Sequence, residues 1–416
     1  MKKTLVAIAA LAATGAFAQS SVTIYGNLDQ TLFRGSDNGK TYSDIASNAG
    51  STSTLGFRGK EDLGGGLSAN FNLLGELSLK EGQMGSTTTG SAATSGGQKP
   101  DIWTRGATVG IASAKYGSLD VGRVTDQAWV TQGTLNNTGL NSLGWNALTA
   151  SSTNPGDNGI STFTGKYTYT PLTAAGAAAV GDGTFQNTRT AGYNAKYNGV
   201  LTQTTLGAAN TAQTGSAPLN FGGGLTYTTP NINGLVGSIQ SFGTTNSYGT
   251  AKAGGGLAYS ANYTTGGLRL AYGNTYRNGS NGEKAISMDV YGAEYKMGAY
   301  TFVGGITHTK FTGTMDGAQD NVTVKGLGIG YDVSPQLEVK GAWTQMSDDT
   351  VADYKTTITA VTARYKFSAR SSVYAGYGKA DNKGANNKQS IFYGGTQPSV
   401  GATSNTGLLV GIKHAF

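Results

Sequence analysis

Along most of the chain, apolar and polar positions alternate with a period of two. Leu337, Val339, Gly341 and Trp343 share one face, and Glu338, Lys340, Ala342 and Thr344 share the other. Val361, Ala363, Tyr365 and Phe367 oppose Thr362, Arg364 and Lys366; Leu257, Tyr259, Ala261 and Tyr263 oppose Ala258, Ser260 and Asn262. This spacing predicts β-strands with one apolar face. A β-sandwich would alternate in the same way. Here the strands are long and numerous, and their connections alternate short and long, which points to a closed barrel. The long connections, such as 82–99, 312–321 and 381–405, are rich in Gly, Ser, Thr and Asn and read as outward-facing surface loops.

A tyrosine close to a turn signal recurs at Tyr167, Tyr197, Tyr227, Tyr263, Tyr295, Tyr331 and Tyr365, at intervals of 30, 30, 36, 32, 36 and 34 residues. Two strands of about ten residues, a tight turn and a longer loop fill such an interval. Each tyrosine is then expected at one membrane interface, ring in the apolar band and phenol wet. At the chain's end, Leu408, Val410, Ile412, His414 and Phe416 share a face. A last strand closing on an aromatic residue is the pattern read by the barrel-assembly machinery of an outer membrane, which makes Phe416 the expected assembly signal.

The N-terminus adds the compartment. Lys2 and Lys3 precede the apolar run Leu5–Ala13, and Ala16-Phe17-Ala18 follows as a small-x-small cleavage pattern, so residues 1–18 read as a signal peptide and 19–416 as one barrel domain. Beyond it no apolar run approaches the ~20 residues of a membrane helix. The chain has 66 Gly and 22 Tyr, 13% charged residues and no cysteine. That suits long strands with aromatic belts, and excludes stabilisation by disulfides. Net charge is +7, or +5 without Lys2 and Lys3, and no basic cluster interleaved with aromatics suggests a nucleic-acid partner.

Several segments resemble the general diffusion porins of Gram-negative bacteria, in particular the β-proteobacterial type. They are the opening strand Ser20–Asp29, the strand–turn–strand Ser53–Leu67 with its glycine-rich turn at 61–67, Arg105–Ile111, Tyr116–Arg123, Tyr227–Leu235, Lys366–Tyr374 and the closing Gly411–Phe416. The resemblance covers nearly the whole chain. It implies an all-β transmembrane antiparallel barrel of 16 strands, assembled as a homotrimer, whose third extracellular loop folds into the pore. The hairpin tally alone gives 18 or 20, because 160–171 and 188–198 each compete with 220–230 for the sixth strand. Closure with both ends periplasmic requires an even number.

In that family basic residues on the pore wall face acids carried by the inward loop. Arg105 and Arg123 match ladder positions, and Arg58 and Lys60 are expected to point inward near the periplasmic turn. Thr54 stands where many relatives carry arginine. The loop, within 125–159, offers Asp126 and Asp157 as its acids. Arg105 and Arg123 share faces with Ala107, Val109, Ile111, Leu119 and Val121, which by alternation belong to lipid; an inward loop lying on this wall would cover those apolar residues and keep the arginines in the pore. The alternative places both arginines at strand ends in the headgroup region.

Enzymatic chemistry is absent from the pattern. His308 lies mid-strand and His414 in the terminal strand; no Gly-x-Ser-x-Gly elbow exists. Gly35–Thr41 is one residue short of a phosphate-binding loop. Gly326-x-Gly-x-Gly330 falls within a strand, where glycine permits close packing. Asp348, Asp349 and Asp353 read as a solvated loop face rather than a calcium site. The expectation is therefore an outer-membrane channel without cofactor or metal, in contact with membrane lipid and lipopolysaccharide, passing small hydrophilic solutes with a weak anion preference. The alternative is a barrel with a plugged lumen acting as an adhesin or hydrolase.

Overall fold

The computed structural model describes residues 21–37, 40–84, 102–145, 148, 166–171, 199–204, 220–242, 255–278, 284–312, 319–348, 355–383 and 404–416. The expected signal peptide, Asp157 and Tyr197 lie outside the described residues. Period-two alternation produces strands throughout: β1 (Ser21–Asp37), β2 (Lys40–Ser47), β3 (Thr54–Gly64), β4 (Leu67–Ser78), β5 (Gln83–Met84), β6 (Gly106–Ser113) and β7 (Gly117–Thr125). A short pair follows, β8 (Lys166–Pro171) and β9 (Gly199–Thr204). Then come β10 (Asn220–Thr228), β11 (Leu235–Phe242), β12 (Gly256–Thr265), β13 (Leu268–Asn278), β14 (Lys284–Met297) and β15 (Tyr300–Thr312). The chain ends with β16 (Gln319–Asp332), β17 (Leu337–Asp348), β18 (Lys355–Lys366), β19 (Ser371–Lys383) and β20 (Ser404–Ala415).

Eighteen of these strands share one antiparallel sheet, in which β2 and β5 only extend β1 and β4 at their outer ends. The other sixteen form a closed wall, sealed where β20 pairs with β1 from Asn27↔Ala415 to Asp37↔Asn405. The count is thus 16, not 18 or 20. β8 and β9 pair only with each other, and β10 is the sixth stave, joined to β7 from Asn220↔Thr125 to Thr228↔Ser118.

Tight turns gather at one end of the barrel. The glycine-rich turn expected at 61–67 is one of them: Gly64, Gly65 and Gly66 have φ of 78°, 61° and 79°, where a Cβ would be strained. Asp62 accepts from the Gly64 amide at 2.9 Å, which shapes the same turn. Tyr227, Tyr263, Tyr295, Tyr331 and Tyr365 stand at this end on the outer surface, 37–47% exposed, as a girdle. Tyr167 belongs to β8, which pairs only with β9. Above the girdle the outer face is apolar, with Val109 (63% exposed), Leu327 (62%) and Ile412 (57%) among its residues. Phe416 extends the seam: its amide donates to Gly26 O at 3.1 Å and its ring lies over Gly26, where a Cβ would come within 2.6 Å of Cζ.

Candidate functional site

After β7 the chain turns into the barrel. Asp126 starts the turn: its Oδ1 accepts from the Trp129 amide at 2.9 Å and caps helix α1 (Gln127–Gly133). The helix packs against the inner faces of β11 to β14. From there the loop crosses the inner wall strand by strand, and inward-facing glycines make room for it. A Cβ on Gly292 (β14) would come within 2.2 Å of Leu135, and one on Gly305 (β15) within 3.0 Å of Trp145. On β16, a Cβ on Gly326 would lie 2.3 Å from Trp145 Cε3, and one on Gly328 2.8 Å from Asn137 Cβ. Gly376 on β19 faces Leu140 and Leu143. Leu135, Leu140, Leu143 and Trp145 are at most 1% exposed in consequence. The closely spaced Gly326 and Gly328 seen in the sequence serve this packing.

Polar contacts fix the same path. Asn137 Nδ2 donates to Thr344 Oγ1 (2.9 Å) and to the carbonyls of Leu327 (3.1 Å) and Trp343 (3.3 Å), while its Oδ1 accepts from the Trp145 amide at 3.1 Å. Thr362 Oγ1 donates to Thr138 O at 2.8 Å, Arg364 to Gly139 O, and Arg269 to Thr134 O. At its far side the loop meets a second inward segment, residues 48–53: the amides of Asn141 and Ser142 donate to Gly50 O (3.3 Å) and Ala49 O (3.0 Å). That segment is held by Asp29 on β1, fully buried, whose Oδ1 accepts from the Gly50 amide (2.9 Å) and from Tyr374 OH on β19 (2.8 Å).

The expected wall residues fall in different places. Arg58 is inward and exposed, its guanidinium 4.9 Å from the Tyr25 ring centroid. Lys60, one inward step nearer the turn, is exposed as well. Arg105 precedes the first residue of β6, so strand alternation does not bind it. It turns inward and pairs with Glu76, Nη2 to Oε2 at 2.6 Å and Nε to Oε2 at 2.7 Å. Asn48 Nδ2 holds the other carboxylate oxygen at 2.9 Å. Arg123 pairs in register with Ala107 on the outward face, at the end of β7 away from the tight turns, and its Nε donates to Thr104 O at 2.9 Å.

One expectation is corrected. The described part of the loop, 126–145 and 148, does not cover the apolar residues of β6 and β7, since Val109, Ile111 and Val121 remain 63%, 52% and 45% exposed outside the barrel. It lies against β11 to β19 instead, because that wall carries the glycines. Asp126 starts the loop, and at 3% exposure it presents no charge to the lumen. Burial pushes its carboxyl up to about 6, partly offset by the amides of Trp129 and Ala128 and the Thr275 hydroxyl.

Sequence reasoning undervalued a basic group on the loop-covered wall. Lys340 (β17), Arg364 (β18) and Lys413 (β20) all face inward, and Gly139 touches the first two: a Cβ there would lie 3.3 Å from Lys340 Nζ and 3.6 Å from Arg364 Nη2. Glu338 sits 3.2 Å from Lys340 Nζ, and Asp29 is the register partner of Lys413. Between Gln127 and Leu148 the loop contains no charged residue. The described stretch of the loop thus lies along the wall that carries Lys340, Arg364 and Lys413, while Arg58 and Lys60 stand on β3.

Comparison with known proteins agrees with this geometry. A family model described as Gram-negative porin matches residues 4–226 and 195–385. Outer membrane porin protein 32 of Delftia acidovorans is 28% identical over 433 residues, covering 100% of both chains. An outer membrane porin protein of Bordetella pertussis (strain Tohama I) is 35% identical over 145 residues, 31% of this chain and 34% of that one. Among solved structures, an anion-selective porin from Comamonas acidovorans is similar with a TM-score of 0.65 at 20% identity, over 96% of this chain and 100% of that chain. The trimer form of OmpT from Vibrio cholerae gives 0.55 at 12% identity, over 95% and 99%.

Proposed function

Because the chain belongs to the Gram-negative porin family, and is thus an outer-membrane porin, we propose that it passes small hydrophilic solutes and ions by passive diffusion with a weak preference for anions. The observation that carries the sign is the neutral loop between Gln127 and Leu148 set among inward basic residues. An acidic loop would oppose the wall; this one leaves the wall's field uncancelled. Arg105 contributes little, since Glu76 compensates it at 2.6 Å. Lys340 is partly compensated by Glu338, whereas Arg364 gives its hydrogen bond to a neutral carbonyl. Charges in a wet lumen act over about 8–10 Å near physiological salt, so the preference is weak and fades as salt rises.

A homotrimer is the proposed assembly, supported by the trimer form of the Vibrio cholerae neighbour. Removal of residues 1–18 on export and reading of Phe416 by the assembly machinery belong to the same proposal.

Zero-current potential across a salt gradient tests the sign. Wild type is expected to favour anions modestly, and Arg364→Gln with Lys340→Gln to abolish or reverse the preference while conductance steps persist. Cation selectivity in the wild type would overturn the sign. A folded protein that gives no steps would instead favour the plugged barrel and sink the channel itself.

A further inference from the structure

The outward face of β15 and β16 breaks its apolar pattern at three basic residues. Strand exposures alternate there: Thr307 and Thr309 are buried inward, while Ile306, His308 and Lys310 face out; on β16 Val322 and Val324 are buried inward, while Lys325 and Leu327 face out. The register fixes their spacing. Lys325 lies opposite Ile306, His308 opposite Thr323 and Lys310 opposite Asn321, so the three basic groups form a diagonal strip with steps of about 7–8 Å.

Height above the tyrosine girdle makes the strip unusual. A tilted barrel strand gains roughly 2.5 Å of height per residue, against an apolar band about 25 Å tall. Lys325 stands six residues from the girdle's Tyr331, and Lys310 ten residues from Tyr300, two before the outer end of β15 at Thr312. Lys325 is therefore just above the middle of the band and Lys310 at its outer edge. A lipid-facing lysine at the first height is costly unless its stem carries the ammonium outward to a counter-charge. Among the described residues neither lysine is in an ion pair. His308 Nδ1 meets Thr323 Oγ1 at 3.0 Å. Asp289 is the register partner of His308, and its Oδ1 is already engaged by Asn274 Nδ2 at 2.7 Å. Gln345 and Ser287 complete the surroundings as neutral groups.

We propose that Lys310 and Lys325, with His308 between them, bind a phosphate of the lipopolysaccharide that forms the outer leaflet around the barrel. Lys310 stands at the outer edge of the band, where the acyl chains of that lipid meet its phosphorylated sugar, and Lys325, roughly 10 Å deeper, reaches toward the same level only through its stem, past His308. The site rests on the chain's place in the outer membrane and is independent of the selectivity proposed above.

Thermal unfolding and equilibrium binding of the purified folded trimer in detergent test it, with three probes: rough-type lipopolysaccharide, the same lipid dephosphorylated, and inorganic phosphate. Lys310→Gln with Lys325→Gln should bind the phosphorylated lipid about 30-fold more weakly, the combined effect of two lysines at a charged membrane surface. Lys310→Arg with Lys325→Arg should retain binding, and the dephosphorylated lipid should not distinguish the proteins. Equal binding by the glutamine variant overturns the site, as does equal protection by inorganic phosphate, which would make it a free-anion site. Dissociation of the glutamine variant's trimer would also overturn it, because the strip would then face a second copy of the chain. Single-channel steps recorded on each protein separate failure here, which leaves them intact, from failure of the channel reading, which abolishes them in the wild type.

Discussion

Placing the same methyl group on two neighbouring strands should have opposite consequences for the pore. Gly326 faces inward on β16, and a Cβ there would stand 2.3 Å from Trp145 Cε3, 2.9 Å from Cζ3 and 3.2 Å from Asn137 Nδ2. An indole ring cannot fold away as a lysine tip can, so Gly326→Ala must move the loop by roughly 1 Å to reach ordinary contact near 3.5 Å. The wall is a hydrogen-bonded sheet, so the loop moves toward the lumen. Overpacking of this kind costs about 1–3 kcal/mol. The Asn137 bonds to Thr344 and to the Leu327 and Trp343 carbonyls stretch with it. Gly341 on β17 is the control: it faces outward, where a Cβ would meet only Ile329 Cγ2 at 3.8 Å. Single-channel conductance of Gly326→Ala should fall or become noisy, with faster proteolysis of the loop, while Gly341→Ala matches wild type in both. If the two variants behave alike, glycine is not what seats the loop on this wall.

Three further outcomes are expected. Asp126 is a buried carboxyl whose pKa is raised from 3.8 to about 6, so the folded state takes up its proton first. The cost of its burial, up to about 3 kcal/mol, is present above pH 6 and is relieved as pH falls from 6 to 4; Asp126→Asn should raise the thermal midpoint at pH 7 and flatten the midpoint's rise over that window. Glu76→Gln should strengthen the anion preference by releasing Arg105 and Arg105→Ala should weaken it by leaving Glu76 alone, with the double variant near wild type, all read as zero-current potential. Tyr374→Phe removes the hydroxyl donated to buried Asp29 at 2.8 Å and should cost about 1–3 kcal/mol, seen as faster proteolysis within 48–53 while the barrel stays intact.

What the sequence made legible was whatever repeats locally. The alternation of 337–344, the glycine turn at 61–67 and five of the seven spaced tyrosines all hold in the barrel, because each depends on neighbours within one hairpin. The number of staves was blurred by the run at 160–171, which has a strand's composition yet pairs only with β9. Parity alone sets Arg105 among lipid-facing residues, against the pore position that the resemblance implies; it turns inward because β6 begins one residue later. Asp126 read as a pore acid, although an aspartate just ahead of Gln127-Ala-Trp is equally a helix cap. The Asp29–Tyr374 contact spans 345 residues of sequence and left no local trace.

That contact sets an order of events in folding. Asp29 on β1 and Tyr374 on β19 flank the terminal strand β20, so they meet only when the last stave has been zipped to the first. Gly50, and through it Asn141 and Ser142, take their positions from that meeting. Closing a loop of this length carries an entropy cost that local hairpins do not. The inward loop therefore gains its far anchorage last: a nascent barrel with an open seam holds it at one side only, and its second mooring forms in the same step that seals the cylinder.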